Sequence, residues 1–159
     1  MNDFIQIAGY RVATGLPELP VRDVRPPVII NTINSHAWVV AERDELFREA
    51  LTSSSILLPD GEGIVWAVRR LTGKKIRKIA GFDIHRYLLD YLDRTNGTCF
   101  YLGASPRTID LIREKLSREY PGIRAGFYSP PFKAAFGEPD NQAMIGAVNN
   151  CDVVRECGR

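Results

Sequence analysis

Asp60 is the residue in this chain most readily given a chemical task. It follows the apolar run "ILLP" (56–59) and precedes Gly61-Glu62-Gly63. An aspartate is ionised at neutral pH and can take the proton of a hydroxyl group. Placed at a strand end, it is held by the sheet behind it. Gly61 and Gly63 carry no side chain, so a substrate can approach the backbone closely there. Aspartate is also a favoured helix N-cap, and the residues that follow look like the start of a helix. Both readings, general base and cap, are open at this level. A second polar group lies in "NTINSH" (31–36), where Thr32 and Asn34 offer a hydroxyl and an amide suited to orienting a sugar or a phosphate. Both are also ordinary turn residues. His36 is of the type that moves protons near neutral pH, or serves as a hydrogen-bonding structural residue. His85, inside "DIHRY", reads as structural. Gly103, with Ser105 opening a helix, could present backbone N–H groups to an anion.

Some chemistries have no matching pattern. No G-x-G-x-x-G loop is present, and no acidic residue follows the next strand where a ribose would need one, which argues against a nicotinamide oxidoreductase. The chain has no G-x-S-x-G elbow, no Walker loop, and no His/Cys/carboxylate spacing of a metal site. The stretch "RRLTGKKIRK" (69–78) holds six cations in ten residues. It reads as a solvated helix end, or as a basic patch for anionic lipid or a diphosphate head group. Little aromatic interleaving accompanies it, so stacking on nucleic-acid bases is not indicated.

The elements that must position these groups follow from periodicity. Residues 4–25 read as two short strands forming a hairpin or loop. "PPVIINT" (26–32) reads as a buried strand, and 35–54 as one helix with Val39, Val40, Leu46, Phe47, Ala50 and Leu51 on its inner face. "SILLP" is a second buried strand. "GEGIVWAVRRL" is a helix with Ile64, Val65, Ala67, Val68 and Leu71 inward, ended by Gly73. A third helix spans 82–97, with Asp83 as its N-cap candidate. "TCFYLGAS" is a strand, and 105–122 is a helix capped by Ser105 with Pro106 at its first position. "GIRAGFYSP" is a further strand, 138–151 a fifth helix, and "CDVV" the start of a fifth strand. This alternation predicts an α/β fold, a Rossmann-like parallel sheet with helices on both faces. The polar turn after Val154 breaks the last strand, so the expected division is a 1–27 hairpin segment, a 28–154 domain incomplete at its C-terminus, and an aberrant 155–159 tail.

Bulk properties agree with an ordinary globular protein. The chain has 159 residues, 45% hydrophobic and 25% charged, with net charge +2. That balance gives no argument for nucleic acid. Cys99, Cys151 and Cys157 form an odd set with no C-x-x-C, which reads as reduced cytoplasmic thiols, with Cys99 in the core. Neither a membrane span nor a signal peptide is recognisable, so the expectation is a soluble protein, at most peripheral to a membrane.

"NTINSH", "LLPDGEGIVWA", "RKIAGFD" and "FYLGASPRTIDLIREKLSREYPGIRAGFYSPPF" occur in the order and spacing of the WecG/TagA/CpsF family of bacterial glycosyltransferases. The chain resembles that family from about residue 28 to 154. The most specific element is P-D-G-x-G-x-x-x-A at Pro59–Ala67, supported by A-G-x-D at Ala80–Asp83 and L-G-x-x-P at Leu102–Pro106. The resemblance implies transfer of an N-acetylmannosamine-type sugar from a UDP donor to N-acetylglucosamine on undecaprenyl diphosphate, for teichoic acid or another cell-surface polysaccharide. It implies inversion at the anomeric carbon, and neither metal nor other cofactor. Asp60 matches the general base, Thr32 and Asn34 the polar pair opposite it, and Asp83 a position lining the same crevice. The expected location is the cytoplasm, peripheral at the inner face of the cell membrane, with self-association at an exposed sheet edge.

Three departures stand out. The family's H-G-Y-F reads Ser129-Pro130-Pro131-Phe132, the segment before residue 26 is shorter, and the G-x-P-x-Q-E region that helps bind the UDP donor does not follow. The resemblance therefore implies an acceptor-side half-site with weak or no transfer by this chain alone. The alternatives are a non-catalytic remnant that binds lipid-diphosphate sugar, or a nucleotide-binding Rossmann oxidoreductase.

Overall fold

A computed structural model describes residues 3–19 and 27–151. The strand expected from "CDVV" onward and the 155–159 tail lie outside the described residues. The chain divides into two compact units, Met1–Arg86 and Tyr87–Arg159. Strands and helices alternate through both, which is the α/β architecture that the periodicity predicts.

The first unit opens with a hairpin, β1 (Phe4–Ile7) and β2 (Tyr10–Ala13), paired antiparallel. Its Ala8-Gly9 turn has positive φ at both positions, the geometry that suits a two-residue hairpin loop. β3 (Ile30–Ile33) and β4 (Ile56–Pro59) add to it in the order β1-β2-β4-β3. β4 is parallel to both its neighbours, with Val12 opposite Leu57 and Ile33 opposite Pro59. Every residue of β4 is buried, as a central strand requires. The core joins Ile5, Ile7, Tyr10 and Val12 of the hairpin to Ile33, Leu57, Ile64 and Val68.

The helix expected over 35–54 is two helices. α1 (Ser35–Ala41) ends at Glu42, and α2 (Glu45–Thr52) starts afresh because the Asp44 side chain accepts a hydrogen bond from the Phe47 N–H. The break rotates the apolar positions. Leu51 is buried, but Val39 is 53% and Leu46 79% exposed, and Ala50 is exposed too. α3 (Glu62–Thr72) follows β4 directly, with Ile64 and Val68 inward and Gly73 closing it. Leu71, expected inward, is exposed.

α4 (Gly81–Arg94) carries the division between the units. In the second unit β5 (Thr98–Leu102) and β6 (Arg124–Tyr128) pair in parallel. α5 (Pro106–Glu119) connects them, capped by Ser105 as its sequence indicates, and α6 (Glu138–Asn149) follows. Tyr101 stacks on Phe127 at 5.7 Å, and the Arg113 guanidinium lies 4.8 Å over the Phe127 ring. Cys99 is half-buried on β5, and burial pushes its thiol up, away from the thiolate that a nucleophile needs. No described helix is long and apolar enough to cross a membrane.

Candidate active site

The carboxyl ends of β3 and β4 place the best candidate residues side by side. Asp60 follows the last residue of β4, and its backbone N–H donates to the Ile33 carbonyl at 2.8 Å. The Pro59 carbonyl accepts from the Ile79 N–H at 2.8 Å. The peptide that carries Asp60 is thus tied to β3 on one side and to the segment before α4 on the other. Its carboxylate is half-buried and makes no hydrogen bond or ion pair among the described residues.

The capping reading of Asp60 is not realised. The N-cap of α3 is Gly61, and no side chain caps that helix. Gly61 has φ 91° and ψ 152°, a region that essentially only glycine occupies, so the chain turns sharply from strand to helix there. Gly61→Ala is expected to destabilise the protein by about 1–3 kcal/mol through backbone strain. A Cβ there would meet only Asn34 Cβ, at an ordinary 3.8 Å, so crowding adds nothing. Denaturant unfolding of the variant measures it, and an unchanged midpoint would show that the turn tolerates a side chain.

Asn34 holds the turn after β3. As N-cap of α1 its Oδ1 accepts from the Ala37 N–H at 2.8 Å. That bond orients the amide, because only the oxygen can accept it. The two Nδ2 protons have no partner among the described residues. Extending the β3–β4 ladder one step beyond Ile33 and Pro59 sets Asn34 opposite Asp60. The period-two alternation of the strand places Thr32 on the same face as Asn34. The Thr32 side chain is half-buried, and its hydroxyl is unbonded among the described residues. Thr32, Asn34, Asp60 and Gly61 therefore gather at one strand end.

Gly63 faces Ser35. The Ser35 Oγ occupies the space that a Cβ at Gly63 would fill, so the loop after β3 packs directly on the first turn of α3. Ser35 is not singled out at the level of sequence, and its position inside "NTINSH" is the available signal. Lys78 reaches Glu62 at 4.0 Å, both exposed, which puts a cation beside the first turn of α3.

Asp83 is not the N-cap of α4. It lies inside the first turn, and its Oδ2 accepts from the Ala80 N–H at 2.8 Å. The Ile79–Pro59 hydrogen bond anchors this segment to the end of β4. Gly103 lies in the second unit, and its N–H already donates to the Tyr128 carbonyl at 2.9 Å, so it is not free for an anion. Nearby, the Ser129 hydroxyl donates to the Ala104 carbonyl at 2.7 Å, and Phe132 is fully exposed. His36 and His85 are exposed on α1 and α4. Among the described residues no three His, Cys, Asp or Glu side chains gather as a metal-holding group.

Comparison with known proteins supplies the family. The profile of the "Glycosyl transferase WecG/TagA/CpsF family" matches residues 11–153. The chain belongs to the WecG/TagA/CpsF family. Two relatives from Bacillus subtilis (strain 168) and Bacillus spizizenii (strain ATCC 23059 / NRRL B-14472 / W23) are each 33% identical over 108 residues. Both are named N-acetylglucosaminyldiphosphoundecaprenol N-acetyl-beta-D-mannosaminyltransferase. The matched stretch covers 67% of this chain and 42% of each Bacillus protein. The WecG/TagA/CpsF match begins inside β2, so the hairpin strand that pairs with β4 belongs to the family region as well.

Proposed function

We propose that this chain carries the acceptor side of a glycosyltransferase site. The reaction moves an N-acetylmannosamine-type sugar from a UDP donor to N-acetylglucosamine on undecaprenyl diphosphate. Asp60 is the general base: its carboxylate takes the proton of the acceptor hydroxyl, and the hydroxyl oxygen forms the new bond to the sugar's anomeric carbon. UDP leaves from the opposite side, so the configuration inverts. Thr32 and Asn34 hold a sugar through the Thr32 hydroxyl and the Asn34 Nδ2 protons. Gly61 keeps the strand-to-helix turn bare so that the sugar ring approaches the backbone, and Gly63 serves the site indirectly by letting Ser35 pack on the first turn of α3. Asp83 contributes by fixing the segment anchored to the end of β4. Gly103 remains a weaker proposal, through the turn it forms rather than its committed N–H.

The observation that carries this reading is the Asp60 carboxylate, half-buried and unpaired among the described residues, one residue beyond the Ile33–Pro59 pair that also precedes Asn34. The names of the Bacillus relatives support the lipid-linked acceptor.

Asn34 permits a test that separates binding from folding. Asn34→Asp keeps a capping oxygen but removes both amide donors, whereas Asn34→Ala removes cap and donors together. The Ala variant is expected to lose about 0.5–2 kcal/mol of stability, as N-cap deletions do. The Asp variant is expected to melt like the wild type. A short-chain lipid-diphosphate N-acetylglucosamine, at a hundredfold excess over its Kd, is expected to stabilise the wild type by about 2.7 kcal/mol. That gain is expected to shrink in Asn34→Asp and in Thr32→Ala. Stabilisation by a nicotinamide dinucleotide and none by the acceptor analogue would overturn the reading in favour of an oxidoreductase.

A further inference from the structure

Helix α3 turns two different faces to its surroundings. Ile64 and Val68 pack inward, while Trp66, Arg69 and Arg70 point out, with Trp66 67% exposed. Positions 66, 69 and 70 are one helical turn apart and form a single stripe. Their side chains line a hollow of 250 Å³. After Gly73 the chain continues through Lys74, Lys75, Arg77 and Lys78, all exposed, while Ile76 between them packs against the core. Ile76 thus anchors a loop whose cations project from a fixed backbone.

The sequence has no acidic residue between Glu62 and Asp83. Among the described residues, Lys78 is the one of these six cations in an ion pair, with Glu62 at 4.0 Å. Exposed cations on a solvated helix are commonly interleaved with acids at i,i+4, as Lys115 and Glu119 are on α5. Here five of the six are unopposed, and Trp66, on the same stripe as Arg69 and Arg70, is 67% exposed. An indole among cations fits the lipid–water interface, where the ring sits at head-group level and the cations meet lipid phosphates.

We propose that the outer face of α3, together with the 74–78 loop, docks on an anionic lipid surface, with Trp66 entering the head-group layer. α3 starts directly after Asp60, and at 1.5 Å per residue Trp66 lies about 8 Å along the axis from Gly61. A helix lying on the surface would hold its N-terminal end, and Asp60 with it, at the depth of lipid diphosphates. That last consequence rests on the proposed transfer reaction, while the docking does not.

The test uses the full chain and sedimentation with vesicles. One set is phosphatidylcholine alone, the other phosphatidylcholine mixed with phosphatidylglycerol, and neither contains a lipid-linked sugar. The chain is expected to bind the mixed vesicles and not the neutral ones. Replacing Arg69, Arg70, Lys74 and Lys75 by Gln is expected to weaken binding about fivefold for each cation removed. Brominated lipid is expected to quench wild-type fluorescence, and Trp66→Phe to abolish that quenching. All five positions are exposed, so unchanged melting of the variants confirms their folding. Equal binding to both vesicle types, or none, would overturn the proposal. So would binding without quenching at Trp66, which would mark a general polyanion surface of the kind a nucleic acid uses. Either failure leaves the acceptor-binding test above untouched.

Discussion

Asp60→Asn is expected to lower sugar transfer about 10²–10⁴-fold, the range of a lost general base. The change is nearly isosteric and removes the group that would take the acceptor's proton. It is expected to leave stability nearly unchanged, because the Asp60 side chain caps no helix and pairs with no described residue. What fixes Asp60 is its backbone, through the bond to Ile33, and the substitution preserves that bond. The measurement is acceptor-dependent release of UDP, under identical conditions, by the parent and Asp60→Asn forms of this chain extended with the donor-binding region of a WecG/TagA/CpsF relative, with acceptor-induced stabilisation of the unextended chain as the companion. A base acts on the reacting hydroxyl, so binding of the acceptor should survive where turnover does not. Wild-type turnover in Asp60→Asn would remove Asp60 from the chemistry. Lost acceptor binding would make it a binding residue.

Leu57→Ala is expected to destabilise the first unit by about 2–5 kcal/mol, the range for truncating a buried leucine. Leu57 is 1% exposed and sits in the middle of the sheet, opposite Val12 on one side and Asn31 on the other. Its truncation leaves a hole in the core cluster it shares with Val12, Ile33, Ile64 and Val68. Leu46→Ala is the matched control. Leu46 is 79% exposed, and its truncation is expected to fall within about 0.5 kcal/mol of the wild type. Urea unfolding followed through Trp38, which packs against the core beside Tyr10, reads both variants. Similar losses at the two positions would mean that the core is not organised around β4.

Those two leucines also mark what the sequence could and could not convey. The run "ILLP" (56–59) is uniformly apolar, and the buried-strand reading follows from that alone. Leu46 belonged to an apolar period that ran unbroken from 35 to 54. The period carries no record of Asp44, whose cap restarts the helix and swings Leu46 outward. Local capping outweighed periodicity there. At Asp60 two readings, base and cap, were equal on residue type. The cap reading falls because Gly61 is the N-cap of α3, a backbone arrangement that no residue count reveals, and the base reading stands as the proposal. Asn34 was legible as a turn residue or a ligand residue, and its two ends are compatible with both: the oxygen caps while the nitrogen is unused among the described residues. Gly103 was read as an anion site because its partner, the Tyr128 carbonyl, lies 25 residues further along the chain. Hydrogen bonds of that span belong to tertiary structure, and sequence patterns of a few residues do not contain them. Asp83 misled for a subtler reason. A carboxylate in the first turn and one at the N-cap look alike in sequence, and only the bond back to Ala80 tells them apart.

The strand order has a consequence for how this protein is made. The hairpin of β1 and β2 needs only local contacts and closes in about 1–10 μs. Its open edge, at Val12, waits for Leu57, which lies 45 residues later. At a synthesis rate of about 5–20 residues per second, that wait lasts roughly 2–9 s. For that interval the nascent chain presents a finished ribbon with an unsatisfied edge, the form most open to pairing with a neighbouring chain. The arrival of β4 ends the exposure and brings Asp60 into place in the same event. The length of the segment between Val12 and Leu57 thus sets how long that edge stays open during synthesis.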